Sequence, residues 1–337
     1  MDTLFAAGLD RLLAGHCSAA VVRRIEAGGS VRDLWSAVDE SGFADALVAE
    51  AAGGAGLALA DAFALFSACG RTALPVPLGH TMVLRAALAT AVQSAPRGPL
   101  AIGIAAPAES DAAIRCHGVP FGLVADWVLV PTADGGWLLP VAAAERRASG
   151  VHGSLKAHLY WPARPADAIR LDTRWPWLSI GAVVTAAMMA GAMQQVLAAT
   201  LEYANQRVQF GKPIGRFQAV QQQSSVMAEQ VFAARMAAEI GCRGDGVLPT
   251  PARAACAKAR AGEAAQQVVA IAHAVHGAIG ITAECELQLF TRRLQEWRND
   301  YGSAAYWHAR LGADVLARRG RPALHYLLDE LAPRTGP

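Results

Sequence analysis

Three groups of residues have side chains and spacings that could carry chemistry. Arg207 is followed by Phe210 and, after a short stretch with two glycines and a proline, by Gln218. A guanidinium has a planar fork that can meet two phosphate oxygens at once. The same three residues also suit an arginine that caps a helix C-terminus, a core phenylalanine and a glutamine on a solvated face. Residue types alone leave both interpretations open.

The second group is His273 and His276, and the third is Asp300 with Tyr301. The two histidines are three positions apart, so both could face one metal ion from a helix. No acidic third ligand stands at helical spacing, and Gly277 ends the helix at once, which favours structural histidines. We therefore predict no metal site.

Helical periodicity is found on both sides of the middle of the chain, and all three groups of residues lie in the C-terminal part. Apolar residues recur every three or four positions in 31–38 and 58–66, which predicts an N-terminal helical domain over residues 1–96. Four longer helices are predicted at 182–206, 220–243, 252–277 and 285–297, and they form a four-helix bundle within residues 173–337. The first of these is apolar on almost every face, as expected inside a bundle or an oligomer.

A short β domain is predicted between the helical parts, over residues 97–172. Residues 125–131 and 136–141 are short, β-branched and aromatic, and the Asp134-Gly135 step between them favours a hairpin turn. The expected architecture is a small antiparallel barrel or sandwich. The fold class predicted for the whole chain is α+β and mostly α.

Composition excludes several classes of protein. Of the 337 residues, 53% are hydrophobic and 17% are charged, the reverse of a disordered chain. The net charge of +2, from 30 basic and 28 acidic residues, gives no reason to expect a nucleic-acid partner. Six cysteines lack metal or disulfide spacing and are expected to be buried free thiols.

Hydropathy and the N-terminus bear on location. The mean hydropathy is +0.26, but the longest uncharged apolar stretch, Ile180–Met193, is too short to span a bilayer and is interpreted as a buried helix. The start of the chain lacks the basic residues and the cleavage site of a signal peptide. A cytoplasmic protein without a membrane span is expected.

Three segments together resemble the acyl-CoA dehydrogenase family. Segment 203–221, YANQRVQFGKPIGRFQAVQ, fills every position of the family signature Y-A-x-x-R-x-Q-F-G-x-x-I-x-x-F-Q-x-x-Q. Segment 274–282, AVHGAIGIT, is similar to the turn Q-x-H-G-G-x-G-x-T between the last bundle helices. Segment 50–57, EAAGGAGL, resembles the P-E-x-x-G-G-x-G loop of the N-terminal domain.

The resemblance implies an N-terminal helical domain, a middle β domain and a four-helix bundle, with FAD as cofactor. It assigns cofactor contacts to five residues of the two C-terminal segments: Arg207, Phe210, Gln218, His276 and Gly277. In the family, the arginine reaches the FAD pyrophosphate of a neighbouring subunit, the phenylalanine covers the adenine side, and the later glutamine bonds the cofactor. An acyl-CoA substrate and an electron-transfer flavoprotein or similar acceptor are implied as well.

This sequence departs from the family at the catalytic base. The family removes an α-proton of the thioester with a glutamate, which most members carry in a Y-E-G-T turn. The matching stretch here, 300–303, reads DYGS and has Tyr301 in the glutamate position. Other members carry the base about 26 residues before the signature arginine, where this chain has Gly181. Asp300 is the remaining candidate, although a helical neighbour points roughly 100° away.

The middle domain departs from the family too. Residues 105–111, AAPAESD, retain only part of the T-E-P-x-x-G-S-D loop, and the W-I-T-N strand behind the flavin ring has no counterpart. Trp127 lies too far along the chain to replace that strand.

The resemblance therefore extends to one branch of the family, the heteromeric enzymes of bacterial steroid and cholesterol side-chain degradation. There, one subunit carries the base, and a short partner without it completes the shared flavin site. We expect this chain to be such a partner in an oligomer. The alternatives are a self-contained homo-oligomeric enzyme that uses Asp300, and a non-catalytic scaffold that has lost FAD.

Overall fold

The computed structural model describes residues 2–104, 113–318 and 322–332. By contacts the chain divides into two compact units. The first consists of Met1–Leu65, Leu74–Gly181 and Asp245–Leu248, and the second of Phe66–Ala73, Ala182–Gly244 and Pro249–Pro337. The three-domain division at residues 96 and 172 stays a prediction.

Five helices precede the strands, which agrees with the helical period of this region. They are α1 (Asp2–His16), α2 (Ala19–Glu26), α3 (Arg32–Glu40), α4 (Leu59–Arg71) and α5 (Leu78–Thr90). In the first unit Arg85 of α5 bonds Asp39 at the end of α3 at 2.6 Å and Asp45 in the following 3₁₀ turn at 2.9 Å. The one guanidinium therefore fixes α5 against two other segments.

Among the residues that the structure describes, seven strands follow in two small sheets. The strands are β1 (Leu100–Ile102), β2 (Ile114–Val119), β3 (Trp127–Thr132), β4 (Gly135–Pro140), β5 (Glu145–Ser149), β6 (Lys156–Trp161) and β7 (Ile169–Leu171). One sheet has the order β1-β3-β4-β7 and the other the order β2-β6-β5.

The expected hairpin joins β3 to β4, with Thr132 paired to Gly135 across the turn. The expectation of purely antiparallel strands was wrong in one place, because β1 pairs with β3 in parallel. Thr81 of α5 explains how so short an edge strand is held. Its hydroxyl accepts a hydrogen bond from the amide of Leu100 at 2.9 Å and donates one to the Leu100 carbonyl at 3.2 Å.

The C-terminal part has long helices and two short hairpins. The helices are α6 (Trp177–Gln206), α7 (Gln218–Cys242), α8 (Pro251–His276), α9 (Leu287–Trp297), α10 (Ala304–Ala317) and α11 (Ala323–Tyr326). The hairpins pair β8 (Val208–Gln209) with β9 (Lys212–Pro213) and β10 (Gly244–Asp245) with β11 (Leu248–Pro249). The four predicted long helices are α6 to α9, and α10 is a further helix that the sequence analysis did not separate.

Local chemistry explains where α8 and α10 begin. The side chains of Thr250 and Ser303 accept hydrogen bonds from the amides of Arg253 and Tyr306, three residues further on. Pro251 occupies the first turn of α8, where its missing N–H costs nothing.

The apolar faces of α6 are buried inside its own chain. Val183, Met189, Met193 and Val196 all have 0% exposure. By length and composition, Trp177–Gln206 and Pro251–Ile281 could each cross a membrane, and 83% and 44% of their most apolar windows are buried in the protein. The all-round apolar character of α6 is thus satisfied within the chain and does not by itself require a second copy.

Candidate functional site

A projecting hairpin follows α6, and we call residues 207–217 the arm. The amide of Arg207 closes the last turn of α6 on the Tyr203 carbonyl at 2.8 Å, after which β8 and β9 pair. Phe210 and Gly211 at the tip have φ of 50° and 77°. A positive φ is unusual for phenylalanine. The side chain of Phe210 is 92% exposed.

Arg207 and Lys212 of the arm make few contacts that would neutralise their positive charge. The exposed side chain of Arg207 makes no ion pair or hydrogen bond with any residue that the structure describes. Lys212 lies over the Phe217 ring, with its Nζ 4.4 Å from the centroid. An exposed guanidinium without an internal partner is available for an external anion.

Gln218 is the first residue of α7 and is exposed. Nearby, the side chain of Gln221 donates a hydrogen bond to the Gly215 carbonyl at 3.1 Å, which fixes the end of the arm to α7. The predicted contacts Arg207, Phe210 and Gln218 therefore all lie exposed, on or beside the arm. The interpretation of Phe210 as a core residue, which the sequence left open, was wrong.

The base of the arm contacts the other predicted cofactor segment. The rings of Tyr203 and His276 stack with centroids 4.4 Å apart, and the Tyr203 hydroxyl donates to the His276 carbonyl at 3.3 Å. Gly277 ends α8 with a φ of 64°. The structure thus brings Arg207 and His276–Gly277 to the same end of the second unit.

Hydrogen bonding fixes the tautomer of His276. Its Nδ1 lies 2.9 Å from the Ala272 carbonyl, which can only accept, so Nδ1 carries the proton. Burial lowers the pKa of this imidazole. The neighbouring His273 instead contacts the Thr291 hydroxyl at 3.1 Å. Among the described residues, no group of three His, Cys, Asp or Glu could hold a metal ion.

The turn that carries Asp300 and Tyr301 is buried and rigidly held. Tyr301 is 1% exposed with a φ of 54°, and Asp300 is 7% exposed. The indole of Trp307 donates to the Tyr301 carbonyl at 3.0 Å. The ammonium of Lys258 donates to the carbonyls of Arg298 and Gly302, each at 2.9 Å.

The environment of Tyr301 opposes ionisation of its phenol. Burial, and then the charge of Asp300, raise its pKa well above the usual value for tyrosine. A phenol that is not ionised at neutral pH is a poor base for removing a substrate proton.

The arm and this turn lie at separate places along α8. Lys258, which holds the turn, precedes His276 by 18 positions. At 1.5 Å per residue this corresponds to about 27 Å along the helix. The candidate site residues therefore form two clusters: the arm cluster of Tyr203, Arg207, His276 and Gly277, and the buried turn of Asp300 and Tyr301.

Comparison with known proteins agrees with this organisation. Residues 175–302 match the family model for the C-terminal domain of acyl-CoA dehydrogenases. Acyl-CoA dehydrogenase IpdE2 of Mycobacterium tuberculosis is 34% identical over 296 residues, which cover 84% of this chain and 87% of that relative. The chain belongs to the acyl-CoA dehydrogenase family.

Solved structures show the same acyl-CoA dehydrogenase fold over nearly the whole chain. The ChsE4-ChsE5 complex of Mycobacterium tuberculosis superposes with a TM-score of 0.81 at 21% identity, covering 95% of this chain and 98% of that one. The Tcur3481-Tcur3483 steroid ACAD superposes with a TM-score of 0.78 at 24% identity, covering 94% and 97%. The predicted fold class is confirmed.

Two regions of the middle domain depart from the family pattern in sequence. The segment 105–111 lies outside the described residues. Trp127 is half-buried at the start of β3. That the middle domain lacks part of the family's flavin site stays a prediction.

Sequence reasoning missed Lys258, which the structure shows to be fully buried. A signal was present, because the residues one helical turn before and after Lys258 on α8 are all small and uncharged: Ala254, Ala255, Ala261 and Gly262. A lone charge on an otherwise apolar helix face predicts a buried partner. The sequence does not show that the hydrogen-bond partners of Lys258 are backbone carbonyls of the turn at residue 301.

Proposed function

We propose that this chain is the base-lacking subunit of a heteromeric acyl-CoA dehydrogenase. In this role it contributes its arm to an FAD that is shared with a catalytic partner subunit. The reaction of the assembly is α,β-dehydrogenation of an acyl-CoA thioester. The single observation that carries the proposal is the arm, which exposes Arg207 and Phe210 while the expected base position is a buried phenol.

The residues of the arm fit the phosphate-bearing half of FAD. Arg207 has no ion pair or hydrogen bond among the described residues, so its fork is free for pyrophosphate oxygens. Phe210 offers an exposed aromatic face for an adenine ring, and Gln218 and the His276–Gly277 turn offer further polar contacts. When bound, FAD supplies the oxidant that accepts the hydride of the β-carbon.

The separation of the two clusters supports a shared flavin. An arm about 27 Å along α8 from the turn at residue 301 is poorly placed to serve a reaction at that turn. An arm that projects from the chain is suited to reach a cofactor bound by a neighbouring subunit. The flavin held by this arm would then work with a base that the partner provides.

The side chains of this chain accordingly bind and orient, whereas proton removal falls to the partner. Asp300 stays buried beside Tyr301, and the turn that carries both is fixed by Lys258 and Trp307. Shifting that turn by one residue to present Asp300 would break these hydrogen bonds. The self-contained enzyme that uses Asp300 is therefore the less favoured reading.

The names of similar proteins suggest the substrate class and the partners. One solved neighbour is a complex of two different subunits, and another is described as a steroid ACAD. We propose that the substrate of the assembly is a steroid-derived acyl-CoA and that the partner of this chain is a second acyl-CoA dehydrogenase subunit. The electron acceptor would be an electron-transfer flavoprotein or a similar protein.

Co-expression with a second acyl-CoA dehydrogenase subunit from the same genome tests the proposal. The complex should be yellow, should contain fewer than one flavin per protomer and should oxidise acyl-CoA. This chain alone should be inactive. An active, flavin-saturated homo-oligomer would favour the Asp300 enzyme. A complex that never retains flavin would favour the scaffold.

A further inference from the structure

The outer face of the three-stranded sheet in the first unit carries two rows of polar side chains. Cross-strand pairing places Arg115, Tyr160 and Glu145 in the first row. His117, His158 and Arg147 form the second row, since His158 pairs with Arg147 and contacts His117. We call these six residues the basic face.

The charges on the basic face are unevenly distributed. Glu145 is its one acidic residue and belongs to the first row, where Arg115 also lies over the Tyr160 ring at 5.2 Å. In the second row, Arg147 is exposed and makes no ion pair or side-chain hydrogen bond with a described residue. The second row therefore carries a guanidinium with no acid beside it in the row.

The two histidines of the second row form a defined pair. Their Nδ1 atoms are 3.3 Å apart, and the Gly118 amide donates to Nδ1 of His158 at 3.2 Å. Because an amide N–H can only donate, Nδ1 of His158 is the acceptor, and the proton of its neutral ring is on Nε2. The exposed ring of His158 thus offers an N–H donor on the same side of the sheet as Arg147.

We propose that the basic face binds a phosphoryl group, with the guanidinium of Arg147 and the Nε2–H of His158 as its donors. A planar guanidinium fork beside a second N–H donor suits the oxygens of a phosphate. The residues line a hollow of about 390 Å³, which has room for a phosphate together with part of the molecule that carries it. Free phosphate and a nucleotide phosphate such as the 3′-phosphate of coenzyme A share this chemistry.

The site is independent of the proposed subunit role, because it uses neither the arm nor the turn at residue 301. Its failure and the failure of that role can therefore be told apart. Flavin content and assembly should be the same whether or not the basic face is altered.

Calorimetric titration of the purified full-length chain, with its partner subunit if one is required for stability, tests the site. Arg147→Gln should weaken binding of inorganic phosphate about tenfold, the effect expected for one charged hydrogen bond. The matched control is Arg164→Gln, which removes an exposed guanidinium that lies over Trp137 on the other sheet. Equal phosphate affinity in Arg147→Gln and the unaltered protein, or no saturable phosphate binding, would overturn the proposal.

Coenzyme A and dephospho-coenzyme A distinguish the sources of the phosphate. If the 3′-phosphate is the natural ligand group, Arg147→Gln weakens coenzyme A binding and leaves dephospho-coenzyme A binding unchanged. If free phosphate is the ligand, only the phosphate titration changes. Either pattern supports a phosphoryl site at Arg147, whereas equal weakening of all three probes by the Arg164→Gln control contradicts it.

His158→Phe tests the second donor, because it removes the Nε2–H and keeps an aromatic ring. Phosphate binding should weaken in this variant, as in Arg147→Gln. Phosphate affinity equal to that of the unaltered protein would remove His158 from the site.

Discussion

The ring of Tyr203 stacks on the ring of His276, with centroids 4.4 Å apart and an interplanar angle of 17°. Tyr203 lies one helical turn before Arg207, and His276 directly precedes the Gly277 turn. This one contact joins two segments that are more than 60 residues apart in the sequence. It fixes the base of the arm at the end of α8, and it leaves the tip free to reach another molecule.

Arg207 is the first target for mutation. Arg207→Ala should weaken FAD binding by about 1.5–3 kcal/mol, because a charged hydrogen bond to phosphate is lost. Flavin retained per chain after dialysis of the complex measures the effect. Arg235→Ala is the control, since Arg235 is ion-paired with Glu239 at 2.9 Å on α7, away from the arm. Unchanged flavin retention in Arg207→Ala would remove its assignment to the cofactor.

Tyr301→Glu tests whether the missing base is the main catalytic defect of the chain. A carboxylate at the expected position should raise the rate of acyl-CoA-dependent flavin bleaching under anaerobic conditions, since a general base contributes about 10²- to 10⁴-fold. Tyr301→Gln provides the same shape without the charge and should show no gain.

No gain in Tyr301→Glu would place the defect elsewhere, in the reduced middle domain. Fast bleaching by the unmutated chain, abolished in Asp300→Asn, would contradict the proposed role and make Asp300 the base.

Lys258→Met should destabilise the protein. The ammonium is fully buried and donates to two carbonyls, so its loss leaves the carbonyls of Arg298 and Gly302 without that donor. A charged hydrogen bond is worth about 1.5–3 kcal/mol, and a lower thermal midpoint should report the loss. Lys212→Met on the exposed arm should change stability by less than about 0.5 kcal/mol. Equal midpoints for the two variants would show that Lys258 does not hold the turn.

Gly191 allows α4 and α6 to approach closely within the second unit. A Cβ at this position would overlap the carbonyl oxygen of Ser67. Gly191→Ala gains about 1 kcal/mol of helix propensity, but overpacking typically costs about 1–3 kcal/mol. The substitution should therefore destabilise the protein. Gly312→Ala on α10, where a Cβ meets nothing within 4 Å, should be neutral or stabilising in the same denaturation experiment.

His80 should make stability depend on pH. It is buried in the first unit against Phe121, and burial lowers its pKa to about 3. In the unfolded chain the imidazole has a pKa of about 6.5 and binds a proton more strongly than in the folded protein. The free energy of unfolding therefore decreases as the pH falls below about 6.5.

The contribution of His80 to that loss approaches about 1.4 kcal/mol per pH unit between these two pKa values. His80→Leu has a similar volume and cannot be protonated, so its stability should fall less steeply over the same range in denaturant titrations. If the free energy of unfolding changed with pH in the same way in both proteins, protonation of His80 would not be coupled to unfolding of the protein.

Local patterns were sufficient for the long C-terminal helices and for one hairpin of the middle domain. The period of three to four residues predicted α6 to α9, and the Asp134-Gly135 step predicted the β3–β4 hairpin, because both signals act between near neighbours. The absence of a carboxylate at residue 301 is likewise a property of the sequence alone. The segments 203–221, 274–282 and 50–57 led to the family, and the missing carboxylate led to the expectation of a subunit that lacks its base.

Only the tertiary structure decided how the site residues are grouped. The stacking of Tyr203 on His276, the carbonyl bonds of Lys258 and the burial of Tyr301 each join positions that are far apart in the chain. Whether Arg207 is paired or free, and whether Asp300 faces solvent or the core, depends on such contacts. Neither periodicity nor motif spacing can supply them, because burial and hydrogen bonding arise from packing between distant segments.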